Sequence, residues 1–292
     1  MTLAMPLKRA AVPLLDTVSA TVRATGTANT VVVRDGWLLG ENTDVYGMHR
    51  ALCDAAVTGA DSACVLGAGA TAATALAVLR TLNCPEATVI VRDTARSGEL
   101  LAAAERLGIA VRLRPWAQAA RCLTADLVIS ALPPGAADQL ASVWPSAVGN
   151  ALLDVVYRPW PTQLADAARR AGATVVGGLP MLVQQAARQV ELRTGCTPAP
   201  IAAIRAAAVK VTALDVHLGG VGTGTGETAA LLSHRLGADA RCSLLIECEV
   251  GLLHPIIPGH AGRWSSRTLT PRPGTSDHSR THGTVRGHPS QI

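Results

Sequence analysis

The run Ala63-Cys64-Val65-Leu66-Gly67-Ala68-Gly69-Ala70-Thr71-Ala72 constrains the fold more than any other part of the chain. A short apolar segment passes directly into two glycines, and the glycines open a helical pattern. Similar apolar segments recur at Ala87–Val91, Ala110–Leu113, Leu127–Ser130, Leu152–Val156 and Thr174–Val176. Helical stretches separate them, among them Thr71–Leu82, Arg96–Leu107 and Gln163–Ala171. Strands that are apolar along their whole length need cover on both faces, and alternating helices supply it. The pattern predicts an α/β fold with a doubly wound parallel sheet of the Rossmann type.

The first strand–turn–helix unit carries Gly67-x-Gly69-x-x-Ala72, the context in which this spacing points to a dinucleotide. Gly67 allows the tight turn, Gly69 lets the backbone approach a pyrophosphate, and Ala72 permits close helix–sheet packing. Ala68, Ala70 and Thr71 complete the loop, whose free N–H groups face the phosphates at the helix N-terminus. A glycine turn without a ligand is the alternative. The second strand ends in Val91-Arg92-Asp93-Thr94-Ala95-Arg96. Arg92 and Arg96 suit a ribose 2′-phosphate and favour NADP, whereas Asp93 suits the free hydroxyl of NAD. Arg96 also reads as a solvated charge at a helix start.

Outside this region, residues 9–24 read as helix. Thr30–Val33 and Trp37–Leu39 form a hairpin around Asp35-Gly36. Helices follow over 45–57, from Gly178 to Thr194, and over Ile201–Ala208. From about Val209 the composition changes: seven of the eight histidines lie beyond it, and the last stretch is rich in Ser, Thr, Arg, Pro and Gly. That composition predicts a low-order tail over 209–292, with a more apolar island at 242–257. The histidine spacings are irregular and point to no metal.

At 292 residues, 49% hydrophobic and 16% charged, the chain has ample apolar surface for a globular core. A net charge of +5 without interleaved aromatics argues against nucleic acid as a partner. No apolar run reaches the length of a membrane span. Seven cysteines, with no C-x-x-C pair, argue against a disulfide framework and for a reducing, cytoplasmic setting.

Four polar positions flank the nucleotide-binding region: Lys8, Asn29 and Asp44 before it, and Gln185 after it. Taken singly, Lys8 reads as a surface charge, Asn29 as a turn residue, Asp44 as an N-cap and Gln185 as a solvated helix position. Together they lie in five ordered blocks: Thr27–Val32, Gly40–Asp44, Gly67–Ala72, Asp154–Pro159 and Gly178–Ala187. From about residue 2 to 208 the chain resembles the shikimate dehydrogenases, particularly their actinobacterial members.

The resemblance implies reduction of 3-dehydroshikimate to shikimate by NADPH, on the route to chorismate and the aromatic amino acids. It implies Lys8 and Asp44 as the catalytic pair, Asn29 and Gln185 as hydrogen-bond partners of ring hydroxyls, and Tyr157 close to substrate. Gly178 and Met181 would border the nicotinamide. It divides the chain into a substrate-domain portion (1–50, completed by helices over 179–208), an NADP-binding domain (51–178) and the tail. NAD with quinate, and a non-catalytic nucleotide-binding remnant, are the other readings. Either a monomer or a homodimer is compatible with it.

The family pattern begins some sixty residues ahead of its catalytic lysine, with a Ser-x-Ser motif for the substrate carboxylate. Ala4 stands where the family has a threonine, and Ala70 where it has a glycine. From this we expect an incomplete substrate domain, with Lys8 on a frayed terminus and nothing to fix its distance from Asp44.

Overall fold

The computed structural model describes residues 1–146 and 149–213, the side chains of 211–213 excepted. All belong to one compact unit. The chain opens with the short helix α1 (Leu7–Ala10), strand β1 (Thr17–Val18) and helix α2 (Ala20–Thr25). Strands β2 (Thr30–Arg34) and β3 (Trp37–Glu41) form the expected hairpin, with Asp35 and Gly36 at φ 50° and 81° in its two-residue turn. Helix α3 (Thr43–Asp54) leads into β4 (Ala63–Leu66), α4 (Ala70–Thr81), β5 (Glu86–Val91), α5 (Gly98–Leu107) and β6 (Ala110–Pro115). Then come α6 (Ala119–Cys122), β7 (Leu127–Ser130), β8 (Ala151–Asp154), α7 (Gln163–Arg170) and β9 (Thr174–Val176). Helices α8 (Gly178–Thr194) and α9 (Ile201–Ala213) close the described region.

The main sheet has the order β6-β5-β4-β7-β8-β9, with every pairing parallel. This is the doubly wound order with its switch point between β4 and β7, where the first βα turn opens. Alternation along β4 feeds two cores. Ala63 and Val65 face the layer with α4 and α5, while Cys64 and Leu66 face the layer with α6 and α7. A second sheet, β1-β3-β2, has β1 parallel and β2 antiparallel to β3. Leu3, Leu7, Val22, Val31 and Leu38 fill its core.

Residues 9–24 are not one helix. Pro13 sits in a 3-10 turn, Val12–Leu14, and lacks the N–H a continuing helix needs. Asp16 then bonds to Leu38 twice, backbone N–H to carbonyl at 3.0 Å and carboxylate to N–H at 2.8 Å. These bonds draw Thr17–Val18 alongside β3, and Ser19 starts α2 by accepting from Val22 N–H.

Helix α3 covers 43–54 rather than 45–57, so Asp44 lies inside its first turn and Asn42 is the cap. Arg96 falls in a 3-10 turn, Thr94–Ser97, ahead of α5. Helix α9 runs past the composition change at Val209 to Ala213. The rest of the tail, including the apolar island and the histidines past 213, lies outside the described residues.

Candidate active site

The start of α3 places Asp44. The Asn42 side-chain oxygen accepts the Asp44 N–H at 3.1 Å and sets the carboxylate at the positive end of the helix. Asp44 is 2% exposed, and both its oxygens are used. Oδ1 accepts from Asn29 Nδ2 at 2.8 Å, and Oδ2 from Lys8 Nζ at 2.7 Å. The Asn29 carbonyl oxygen in turn accepts the Thr43 N–H at 2.8 Å, which locks the amide against the same helix end.

Lys8 does not sit on a loose end. Residues 1–4 run beside β2, with Leu3 N–H donating to Asn29 O at 2.6 Å and Ala28 N–H to Lys8 O at 2.8 Å. Thr2 Oγ1 donates to Gln189 Oε1 at 3.1 Å and accepts from Arg193 at 2.8 Å, while Gln189 Nε2 donates to Thr30 at 3.0 Å. Leu3 and Leu7 are buried beneath. The expected fraying is corrected by these ties, which sequence patterns do not reveal.

The Lys8–Asp44 pair contributes little to net stability. Its side chains are 16% and 3% exposed, so desolvation offsets most of the Coulomb attraction. Removing one partner would nevertheless cost about 3–5 kcal/mol, because a buried charge would remain unpaired. A pair of this kind fixes one geometry for an ammonium that faces a cavity.

That cavity, about 270 Å³, is lined by Lys8, Asn29 and Asp44 together with Tyr157, Gly178, Met181 and Gln185. It reaches Thr71 in the first turn of α4, so it connects to the glycine turn. Two close approaches set its width. A Cβ on Gly47 of α3 would lie 2.6 Å from Met181 O and 2.9 Å from Gln185 N of α8, so only glycine permits this crossing. A Cβ on Gly178 would overlap the Val155 carbonyl oxygen.

The glycine turn suits a pyrophosphate. Gly67 takes φ +106°, and its N–H donates to Ile90 O at 2.9 Å. Gly69 caps α4 with no side chain, and a Cβ there would meet nothing within 4 Å. The first helical bond is made by Ala73 N–H to Gly69 O, so the N–H groups of Ala70, Thr71 and Ala72 precede the helical ladder. Ala70 and Ala72 point into the core, and Ala68 packs against it.

Arg92 and Arg96 follow β5 and are exposed. Asp93 lies between them, but its carboxylate accepts the Ala95 N–H at 2.9 Å and so caps the following turn. The sequence-derived residues thus form two groups, eight at the cavity and seven at the nucleotide turn and the end of β5.

Thr2, Thr43, Gly47 and Gln189 escaped the sequence reading. Gln189 had a signal: with Met181 and Gln185 it repeats every four residues along one face of α8. It is fully buried, which is unusual for glutamine unless it is bonded. Thr43 lies within the block Gly40–Asp44, whereas Thr2 and Gly47 gave no signal at the level of sequence, because their partners are distant along the chain.

Comparison with known proteins bears on this constellation. The family model for the shikimate 5′-dehydrogenase C-terminal domain matches residues 178–209, which cover α8 and most of α9. Shikimate dehydrogenase (NADP(+)) of Oleidesulfovibrio alaskensis is 36% identical over 198 residues, 65% of this chain and 68% of that protein. The crystal structure of Mycobacterium tuberculosis shikimate dehydrogenase superposes with a TM-score of 0.63 at 35% identity, covering 71% of this chain and 77% of that one. Quinate dehydrogenase from Corynebacterium glutamicum in complex with NAD gives 0.65 at 30% identity, covering 72% and 77%. At 36% identity over 68% of a shikimate dehydrogenase's own length, the chain belongs to the shikimate dehydrogenase family.

Proposed function

We propose that this protein is an NADP-dependent oxidoreductase that interconverts 3-dehydroshikimate and shikimate, on the biosynthetic route to chorismate, in the cytoplasm. The observation that carries this reading is the Lys8–Asp44–Asn29 constellation, in a cavity that continues to the first turn of α4. When bound, NADPH supplies the hydride. The N–H groups at Ala70, Thr71 and Ala72, with Gly67 and Gly69 clearing the approach, would hold its pyrophosphate. Gly178 and Met181 would border its nicotinamide.

The protein's own part is positioning and proton delivery. Lys8 Nζ donates a proton to the ketone oxygen as charge develops there and stabilises that charge. Asp44 holds the ammonium in place and, with Asn29 and Gln185, suits the ring hydroxyls of a polyhydroxylated acid. Tyr157 also lines the cavity. General acid catalysis of this type contributes roughly 10²–10⁴ in rate.

NADP is favoured over NAD because Asp93 is committed to its turn, which leaves Arg92 and Arg96 as the groups facing a 2′-substituent. The test is NADPH titration by protein fluorescence, paired with shikimate oxidation by NADP⁺. Binding together with turnover supports the reading, whereas binding without turnover would leave only a nucleotide-binding protein. Preference for quinate and NAD would transfer the assignment to that reaction.

A further inference from the structure

Gln189 has no exposed surface and lies one turn beyond Gln185 on α8, behind the residues that line the cavity. Its Nε2 donates to Thr30 Oγ1 at 3.0 Å and to Thr43 Oγ1 at 3.4 Å, and its Oε1 accepts from Thr2 Oγ1 at 3.1 Å. Each partner belongs to a segment that carries a member of the constellation. Thr2 lies in the run leading to Lys8, Thr30 directly follows Asn29, and Thr43 directly precedes Asp44. We propose that Gln189 is a positioning residue for proton delivery, which sets the Asn29 amide and the Lys8 segment against Asp44.

The bonds run in one direction. A hydroxyl has a single proton to give. Thr30 Oγ1 takes a proton from Gln189, so its own proton goes to Asn29 Oδ1 at 2.9 Å. Asn29 Oδ1 also accepts the Thr43 N–H at 2.8 Å. The amide nitrogen is thereby left to donate to Asp44 Oδ1 at 2.8 Å and to Thr43 Oγ1 at 2.9 Å. The reversed amide would set its oxygen against the carboxylate. Thr43 holds the orientation from the α3 side, and Gln189, through Thr30, holds it from the α8 side.

The relay is dry. Asn29, Thr30, Thr43 and Asp44 are each no more than 2% exposed. Water has no ready access to replace a lost partner, so without Gln189 the three threonine hydroxyls regain bonds only by moving. Thr2 is also held by Arg193 at 2.8 Å, one turn further along α8. The run to Lys8 therefore stays attached but loses a bond that fixes its register. A displacement of about 1 Å at a reacting group costs about a hundredfold in rate. That consequence rests on the reaction proposed above, and the placement of Asn29 does not.

The test compares Gln189→Leu with Gln184→Leu in the full chain. Gln184 is buried on the same helix and donates to Asp54 at 2.7 Å, away from the constellation. Both variants lose a buried bond, and both should melt below the native chain. Only Gln189→Leu should lower kcat for shikimate oxidation, by about 10- to 100-fold, with NADPH affinity unchanged. Thr30→Val removes the same link and should lower kcat by a similar factor; added to Gln189→Leu it should cost little more. Thr30→Ser, which keeps the hydroxyl, should recover most of that loss. A folded Gln189→Leu with native kcat, or a loss matched by Gln184→Leu, would overturn the proposal. If Gln189→Leu does not fold, equal kcat in Thr30→Val and Thr30→Ser would overturn it instead.

The Asn29 side-chain amide gives a readout independent of activity. Its protons, followed by nitrogen-15 NMR, should exchange slowly with solvent in the native chain and several-fold faster in Gln189→Leu. Equal exchange in the two would contradict the placement of Asn29 by Gln189. A native chain that protects this amide but does not oxidise shikimate would count against the proposed reaction and leave the placement standing.

Discussion

Lys8 Nζ and Asp44 Oδ2 lie 2.7 Å apart although 36 positions separate the residues, and Asn29 holds the other carboxylate oxygen at 2.8 Å. The pair contributes geometry rather than net stability, and the two can be separated by experiment. Asp44→Ala leaves a buried ammonium unpaired and should lower unfolding free energy by about 3–5 kcal/mol. Replacing both residues, Lys8→Met with Asp44→Leu, should recover most of that loss in urea denaturation while abolishing turnover. A double variant as unstable as the single one would show that the pair itself stabilises the fold.

Gly47 sets the distance between α3, which carries Asp44, and α8, which carries Met181 and Gln185. A methyl group there cannot fit against Met181 O without displacing one helix. Gly47→Ala should cost about 1–3 kcal/mol by overpacking. Because a shift of about 1 Å can cost a hundredfold in rate, kcat should fall about that much. Steady-state kinetics on the folded variant checks this, and an unaltered kcat would mean that the helices are free to adjust.

Cofactor choice should reside in Arg92 and Arg96. Exposed charge-assisted contacts of this kind are worth about 1 kcal/mol each or somewhat more. Replacing both with Ala should raise KM for NADPH by about 10- to 100-fold and leave KM for NADH nearly unchanged. Equal effects on the two cofactors would remove these arginines from the 2′-phosphate.

Asp154 predicts a pH dependence of stability. It is 1% exposed and accepts from Thr162 Oγ1 at 2.7 Å and from Val156 N–H at 3.2 Å, bracing the loop that carries Tyr157. Burial raises its carboxyl above the ordinary range despite these bonds. A raised carboxyl contributes stability that is present below the unfolded value near 4 and is lost as pH rises through the folded value. Asp154→Asn removes that dependence, so denaturation midpoints should shift in favour of the variant as pH rises from about 4 towards neutral. A difference that stays constant with pH would contradict the raised carboxyl.

What could be read from the sequence follows from the range of the interactions involved. The strands at Ala63–Leu66, Leu127–Ser130 and Thr174–Val176 and helix Gly178–Thr194 match their expected bounds, because apolar runs and glycine punctuation are local signals. Residues 9–24 escaped because Asp16 bonds to Leu38, a partner no local pattern announces. The roles of Lys8, Asn29, Asp44 and Gln185 came from family resemblance, since each has an ordinary explanation alone. The network of Thr2, Thr30, Thr43 and Gln189, which tethers the segment leading to Lys8, became visible only in three dimensions.

The most direct measurement of the central claim is the initial rate of shikimate-dependent NADP⁺ reduction by the chain and by Lys8→Ala at matched, folded concentrations. Turnover by the native chain that falls about 10²- to 10⁴-fold in Lys8→Ala, with NADPH affinity unchanged, is the predicted result. Equal rates for the two proteins, or no turnover from a native chain that binds NADPH, would contradict it.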